Sequence, residues 1–99
     1  MLFCSEPIKT AGPVVEGEPC FINFEIKNIG EETYTIKPWA SCGCSTPIVD
    51  KDTVAPNETI ILKVQFDSLG KVGVNEKSAG LWYGDKNRLT VKFIVTVIK

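Results

Sequence analysis

Four cysteines, Cys4, Cys20, Cys42 and Cys44, are the residues of this 99-residue sequence best suited to chemistry. The chain has no histidine, so a site for a soft metal would use sulfur alone, and four thiolates suffice for tetrahedral zinc. The spacing argues against such a site, because structural zinc sites usually contain two Cys-x2-Cys pairs whereas Cys42-Gly43-Cys44 is a single Cys-x-Cys. Zinc binding by these four residues is one of three interpretations.

The other two interpretations concern redox chemistry and packing. The second interpretation is a redox role for Cys42 with Cys44 or for Cys20 with Cys42. A disulfide between Cys42 and Cys44 would close a very small, strained ring and would be easily reduced. In the third interpretation, which we favour, Cys20 and Cys42 are small buried hydrophobic residues and Cys-Gly-Cys is a shaped turn.

Residue patterns for other kinds of catalysis are absent. Without histidine there is no Ser-His or Cys-His nucleophile pair. Asp50, Asp52, Glu58 and Asp67 fall in expected loops, without the spacing of a catalytic carboxylate pair or a calcium loop. We therefore predict that the protein is not an enzyme and has no cofactor, except zinc in the metal interpretation.

Charge and hydropathy exclude further classes of function. The chain has 12 acidic and 11 basic residues, and the basic ones are scattered, so neither nucleic acid nor a membrane is an expected partner. Its apolar runs, such as Ile60–Leu62, are far shorter than the roughly 18 residues of a membrane helix. The segment Met1–Pro7 lacks the regions of a secretory signal, which predicts cytoplasmic synthesis without export, where structural disulfides are disfavoured.

Apolar and polar side chains alternate along several segments, as is typical of β-strands with one dry face. The pattern is found in Cys20–Lys27, Thr59–Phe66, Lys77–Tyr83 and Leu89–Ile98. Gly84-Asp85-Lys86-Asn87 is a tight reversal between the last two. No helical period is present in the sequence.

A hairpin is expected early in the chain, because the five residues from Asn28 have turn chemistry. If Asn28 and Thr33 flank this turn, Cys20 lies opposite Ser41 and beside Cys42. Three of the four thiols would then gather at one end of the fold, within a residue or two.

Counting weaker segments, the sequence predicts six to eight strands in about 100 residues, which is typical of a sandwich of two sheets. We therefore predict an all-β fold, an immunoglobulin-like β-sandwich of about seven antiparallel strands. Residues 1–99 would form a single domain.

Trp39 and Trp82 fall out of phase with the apolar side chains of their strands, which predicts outward-facing indoles. Exposed indoles recur at protein interfaces, although a tryptophan packed at a sheet edge or under a loop has the same pattern. With the neighbouring Tyr83, these residues are the candidates for binding a protein partner.

Short motifs over nearly the whole chain carry a family resemblance. In chain order they are Gly12, Glu16-Gly17-Glu18, Phe24, Asn28-Ile29-Gly30, Ser41-Cys42-Gly43-Cys44-Ser45, Ala55-Pro56-Asn57-Glu58, Phe66 and Gly73. This order resembles the bacterial domain of unknown function family 1573. The resemblance implies an Ig-like sandwich of the hydin and major sperm protein type with a scaffolding or binding role. The sequence departs from the family in having Asn57 where Gly is usual and in lacking the secretion signal of many members.

The leading prediction is a non-enzymatic structural or binding module, an accessory subunit of a larger assembly that binds a protein partner. A leaderless single-domain sandwich is similar to accessory modules of tailed-phage particles, so the virion is an expected location. The alternative prediction is a zinc protein with thiolate ligands.

Overall fold

The alternation of side chains becomes the burial pattern of three long strands, β3 (Pro19–Asn28), β7 (Thr59–Asp67) and β9 (Asn87–Ile98). Every second side chain is buried in β3 and β7 and, from Val91 onward, in β9; the side chains between them are exposed in β3 and β7 and half-buried in β9. The predicted strand faces are confirmed here, because a period of two puts successive side chains on opposite sides of a sheet.

The computed structural model describes residues 1–99 and contains two facing sheets. The remaining strands are β1 (Leu2–Cys4), β2 (Ile8–Val15), β4 (Tyr34–Ala40), β5 (Ser45–Val49), β6 (Thr53–Val54) and β8 (Gly73–Tyr83). One sheet has four strands in the order β1-β3-β7-β5, and the other has five in the order β2-β9-β8-β4-β6. No helix has the length and apolar character that a membrane crossing requires.

The all-β sandwich is confirmed, but two of its predicted details are wrong. There are nine strands rather than about seven, because β1 and β6 contain only three and two residues and are too short to show alternation. One pair is not antiparallel, since β2 runs parallel to β9. Alternation reveals which side chains share a face, but it carries no information on strand direction.

The expected hairpin after Asn28 is also wrong. Strand β3 pairs with β1 and β7, whereas β4 pairs with β6 and β8 in the other sheet. Cys20 therefore lies opposite Phe66 and not opposite Ser41. Two strands that each have one apolar face can lie side by side in one sheet or face each other across the core, and the sequence pattern is the same in both cases.

Side chains of both sheets meet in the core. Phe24, Phe66 and Phe93 are fully buried, and the rings of Phe66 and Phe93 meet edge to face with centroids 6.1 Å apart. Such aromatic contacts stabilise the packing of one sheet on the other beyond the burial of apolar area.

Loops close the sandwich at two ends. Because β3 runs from Pro19, opposite Asp67, to Lys27, opposite Thr59, the loops that precede and follow it lie at different ends. We call one the Asn28 end, formed by the β3–β4 and β6–β7 loops. The other is the Cys42 end, formed by the β2–β3, β4–β5 and β7–β8 loops.

The Asn28 end is organised by one buried amide. Asn28 Nδ2 donates to the carbonyl oxygens of Glu32 at 2.7 Å and Val54 at 3.1 Å, and Asn28 Oδ1 accepts from Gly30 N at 2.9 Å. The backbone N–H of Asn57 donates to the Asn28 carbonyl at 2.8 Å. Asn57 has a φ of 67°, a left-handed conformation that asparagine and glycine tolerate best, which explains why Asn stands where the resembling family usually has Gly.

Candidate functional sites

The four cysteines do not converge. Cys4 pairs with Ile26, which lies roughly 20 Å along β3 from Cys20 at about 3.3 Å per residue. Cys42 and Cys44 form a disulfide in the β4–β5 loop, with Cα atoms 5.2 Å apart. No group of three or more His, Cys, Asp or Glu side chains is arranged to hold a metal ion. The structure thus does not bring the four predicted zinc ligands together.

Cys20 nevertheless lies at the Cys42 end, by a route that the predicted hairpin did not describe. Phe66 of β7 pairs with Cys20 on one side and with Ser45 on the other. Two strand spacings, about 10 Å, therefore separate the backbone of Cys20 from that of Ser45, which follows Cys44. Cys20 itself is a free thiol, since both loop cysteines are bonded to each other.

The free thiols belong to the core. Cys4 and Cys20 are buried, and desolvation raises the pKa of both thiols, so each remains protonated near neutral pH. For Cys20 this agrees with the favoured interpretation as a small hydrophobic residue. Cys42 differs from that interpretation, since it is half-buried and disulfide-bonded.

The disulfide lies where the chain crosses from the five-stranded to the four-stranded sheet. Ser45 N donates to the Cys42 carbonyl at 3.1 Å, and Asp67 N donates to the Cys44 carbonyl at 2.8 Å. A cleft of about 460 Å³ opens beside the loop, and Gly43 and Cys44 form part of its lining. The loop is thus held by the backbone while one of its sulfur-bearing residues borders open space.

A second candidate site lies on the outer face of the five-stranded sheet, and we call it the aromatic patch: Trp39, Trp82 and Arg88. The guanidinium carbon of Arg88 lies 4.3 Å from the ring centroid of Trp39 and 5.4 Å from that of Trp82. Trp82 is 43% exposed and Trp39 is half-buried. None of the three ion pairs of the structure involves Arg88, and its guanidinium instead makes cation–π contacts with the two indole rings.

Strand pairing explains the position of each patch residue. Trp82 of β8 pairs with Arg88 of β9, and Trp39 of β4 pairs with Gly80 of β8. A Cβ atom on Gly80 would lie 3.0 Å from Trp39 Cζ2 and would collide with the carbonyl oxygen of Leu89. The absence of a side chain at position 80 leaves room for the Trp39 ring beside β8, and Trp39 Nε1 is buried without a hydrogen-bond partner.

Tyr83, the third residue predicted to bind a partner, lies apart from the patch. Its half-buried ring packs against the core and meets Tyr34 edge to face, with centroids 5.1 Å apart. Successive residues of a strand point to opposite faces, so Trp82 and Tyr83 cannot share a surface.

Arg88 is the patch residue that the sequence prediction did not identify. The predicted reversal over Gly84–Asn87 would have placed Arg88 opposite Tyr83, whereas the observed loop is one residue shorter, so that Tyr83 pairs with Asn87 and Arg88 lies opposite Trp82. A cation opposite an outward-facing indole predicts a cation–π contact.

Known structures share this architecture at low sequence identity. A protein of unknown function from Porphyromonas gingivalis W83 matches with a TM-score of 0.80 and 14% identity, over 96% of this chain and 46% of that one. The ASH / PapD-like domain 7 of human CEP192 matches with a TM-score of 0.73 and 10% identity, over 99% and 85% of the two chains.

A part of a much larger enzyme is similar as well. The endo-fucoidan hydrolase of glycoside hydrolase family 107 matches with a TM-score of 0.65 and 15% identity, over 98% of this chain but only 13% of the enzyme. This chain also spans less than half of the P. gingivalis protein. These likenesses show an Ig-like, PapD-like fold and no more.

Sequence comparison identifies the family. No protein with a curated description matches the chain. The family described as "Protein of unknown function (DUF1573)" matches residues 4–97, nearly the whole sequence. The chain therefore belongs to the DUF1573 family.

Proposed function

We propose that this protein is a non-enzymatic binding module that holds a protein partner against the aromatic patch. The observation that carries the proposal is the exposed Trp82 indole beside the Arg88 guanidinium, which has no ion pair. Tryptophan and arginine are the residue types most enriched among those that dominate binding energy at interfaces. Lys37 of β4 pairs with Trp82 of β8 and adds a second positive charge beside the indole. The surface therefore suits a partner segment with both apolar and acidic side chains.

The other sheet offers a poorer surface. Its exposed apolar side chains, such as Phe21 and Ile61, lie beside polar ones: the Lys63 ammonium is 5.4 Å from the Phe21 ring centroid, and Ile61 pairs with Glu25. Scattered apolar residues of this kind are common on protein surfaces.

The partner in this proposal is a subunit of a larger assembly, such as a phage particle. The support is that the fold is a small sandwich and occurs as 13% of a larger hydrolase chain, so it serves elsewhere as one module among others. Mass spectrometry of particles purified from the native source tests this part of the proposal. Finding the protein only as a free monomer, and in no particle, would contradict it.

The patch itself is tested by Trp82→Ala, with Phe21→Ala as a matched control because Phe21 is an aromatic side chain of similar exposure on the other sheet. We expect Trp82→Ala to weaken binding to the partner captured by the wild-type protein by at least about 30-fold, while the Tm changes by only a few degrees. Phe21→Ala should bind as the wild type does. Loss of binding with Phe21→Ala alone would move the interface to the four-stranded sheet, and unfolding of Trp82→Ala would show that Trp82 supports the fold.

A further inference from the structure

The Cys42–Cys44 disulfide has an accessibility that a purely structural bridge would not need. Both cysteines are half-buried, and Gly43 between them is exposed. The bridge joins residues only two positions apart, so it constrains very little of the unfolded chain. Stabilisation of the fold is therefore a weak reason for a disulfide at this position, and a chemical role of the bridge is the alternative.

The two sulfur atoms differ in their surroundings. Cys44 packs partly against the core and also lines the open cleft beside the loop, so the cleft gives an incoming group a path to its side of the bridge. The backbone N–H of Cys44 donates to Cys42 Sγ at 3.2 Å. A hydrogen bond of this kind stabilises negative charge on sulfur, which makes Cys42 the better leaving group when the bridge is opened.

The fold keeps the loop in shape when the bridge is open. The hydrogen bond from Ser45 N to the Cys42 carbonyl and that from Asp67 N to the Cys44 carbonyl involve backbone atoms only. Neither depends on the S–S bond, so the two thiols of the reduced protein remain close together. The effective concentration of one thiol near the other stays high, and the bridge can close again.

The other thiols do not compete in this chemistry. Cys4 and Cys20 are buried, and desolvation raises their pKa, so both are inaccessible and protonated. Thiol–disulfide exchange requires a thiolate with access to the attacked sulfur.

We propose that Cys42 and Cys44 form a site of reversible thiol–disulfide exchange with a dithiol partner, attacked at Cys44. A partner thiolate bonds to Cys44 Sγ, the S–S bond breaks, and its electron pair leaves on Cys42 Sγ. The second thiolate of the partner then attacks the partner sulfur of the mixed disulfide, which releases Cys44 as a thiolate. The partner ends as a disulfide, the pair ends as two thiols, and two protons pass from partner to protein. This activity is independent of the aromatic patch.

The direction of attack is tested on the oxidised wild-type protein with 2-mercaptoethanol as a single-thiol probe. After a short reaction, acid stops exchange, and fragmentation mass spectrometry locates the mixed disulfide. We expect at least about ten times more adduct on Cys44 than on Cys42, with none on Cys4 or Cys20. Equal or reversed labelling would overturn the assignment of Cys44, and an unreacted bridge in the folded protein would overturn the exchange site itself.

The contribution of the fold is tested by reclosure. Protein reduced with dithiothreitol is freed of reductant and mixed with 2-hydroxyethyl disulfide, beside the peptide Ser-Cys-Gly-Cys-Ser that corresponds to residues 41–45. We expect the protein to close its bridge at least about tenfold faster than the peptide, because the loop is already held in shape. A Cys42→Ser variant should instead keep the mixed disulfide on Cys44, since no neighbouring thiol remains to displace it. Reclosure no faster than in the peptide, or no lasting adduct on Cys42→Ser, would contradict the proposal.

Discussion

The two ends of the sandwich both carry a motif that is conspicuous in the sequence, but the motifs act in opposite ways. At the Asn28 end, the polar side chain of Asn28 is fully buried and its amide makes three hydrogen bonds to the backbone. At the Cys42 end, the two disulfide-bonded residues are half-buried beside an open cleft, and backbone hydrogen bonds at both of their carbonyls help to hold the loop. A conspicuous motif can therefore contain either a side chain whose hydrogen bonds stabilise the fold or a side chain that remains available for reaction.

The difference between the two ends depends on whether a side chain has to supply hydrogen-bond donors to buried backbone carbonyls. The β3–β4 loop crosses between the sheets, and the Asn28 amide donates to one carbonyl of this loop, that of Glu32, and to the carbonyl of Val54 at the end of β6. The β4–β5 loop also crosses between the sheets, but backbone N–H groups of Ser45 and Asp67 satisfy the carbonyls of Cys42 and Cys44. The cysteine side chains are thus not needed to satisfy these two carbonyls, and the one hydrogen bond that Cys42 Sγ accepts, from Cys44 N, leaves the bridge available for chemistry.

Of the changes that test this contrast between the two ends, replacement of Asn28 should lower the free energy of unfolding most. Asn28→Ala removes both donors and leaves the buried carbonyl of Val54 without a partner, for which we expect a loss of about 3 kcal/mol in the free energy of unfolding. The Tm should fall by roughly 15 °C, measured by thermal denaturation.

Asn23→Ala is the matched control for this prediction. Asn23 lies on the same strand with an exposed side chain, so its replacement should change the free energy of unfolding by less than about 0.5 kcal/mol. If Asn28→Ala is as mild as Asn23→Ala, the buried amide does not hold its end of the sandwich, and the contrast between the ends disappears.

Removal of the disulfide should have a smaller effect. For a closed loop of three residues, chain entropy predicts a stabilisation of about 1.6 kcal/mol, roughly half of the expected contribution of Asn28. The double variant Cys42→Ser, Cys44→Ser should lose this amount in urea unfolding and keep its cooperativity. Reduction of the wild-type protein serves as the control and should lower the stability equally. A loss on reduction greater than that of Asn28→Ala would show that the bridge supports the fold as a whole.

Much of the fold could be predicted from the sequence. The errors in that prediction have a common origin, the pairing of the strands. The inward side chains of β7, from Ile60 to Phe66, were correctly predicted because alternation directly reports which face is dry. The pairing of β3 was not, because Asn28 and Gly30, which look like hairpin residues, instead form a hydrogen-bonded crossing to the other sheet. Two strands bury the same row of side chains whether they pair within one sheet or face each other across the core. The sequence pattern is therefore the same in both cases, and only the three-dimensional packing distinguishes them.

The candidate sites were predictable to the extent that they depend on local pattern. The outward position of Trp82 followed from its phase in the strand, while the half-burial of Trp39 depends on the missing side chain of Gly80 in the neighbouring strand. The Cys42–Cys44 bridge was one of the interpretations considered. The asymmetry between its two sulfur atoms comes from a backbone N–H and a cleft, which have no signature in the sequence.

The smallest expected effect concerns a surface ion pair at the Asn28 end. Glu58 accepts hydrogen bonds from Lys51 Nζ and, at 2.9 Å, from Ala55 N, and these bonds, chiefly that from Lys51, hold the pKa of Glu58 below its usual value of about 4.3. A lowered pKa means that the ionised form stabilises the folded protein above the usual pKa, and that this contribution is lost as pH falls through the lowered pKa. The Tm difference between wild type and Glu58→Gln should therefore be greatest near pH 6 and shrink towards pH 3. Glu31→Gln, on the exposed loop at the same end, is the control for removal of a surface carboxylate. A Tm difference for Glu58→Gln that does not change with pH would mean that the side chain acts here through its shape and not through its charge, which would leave the buried amide of Asn28 as the polar group that matters most at this end.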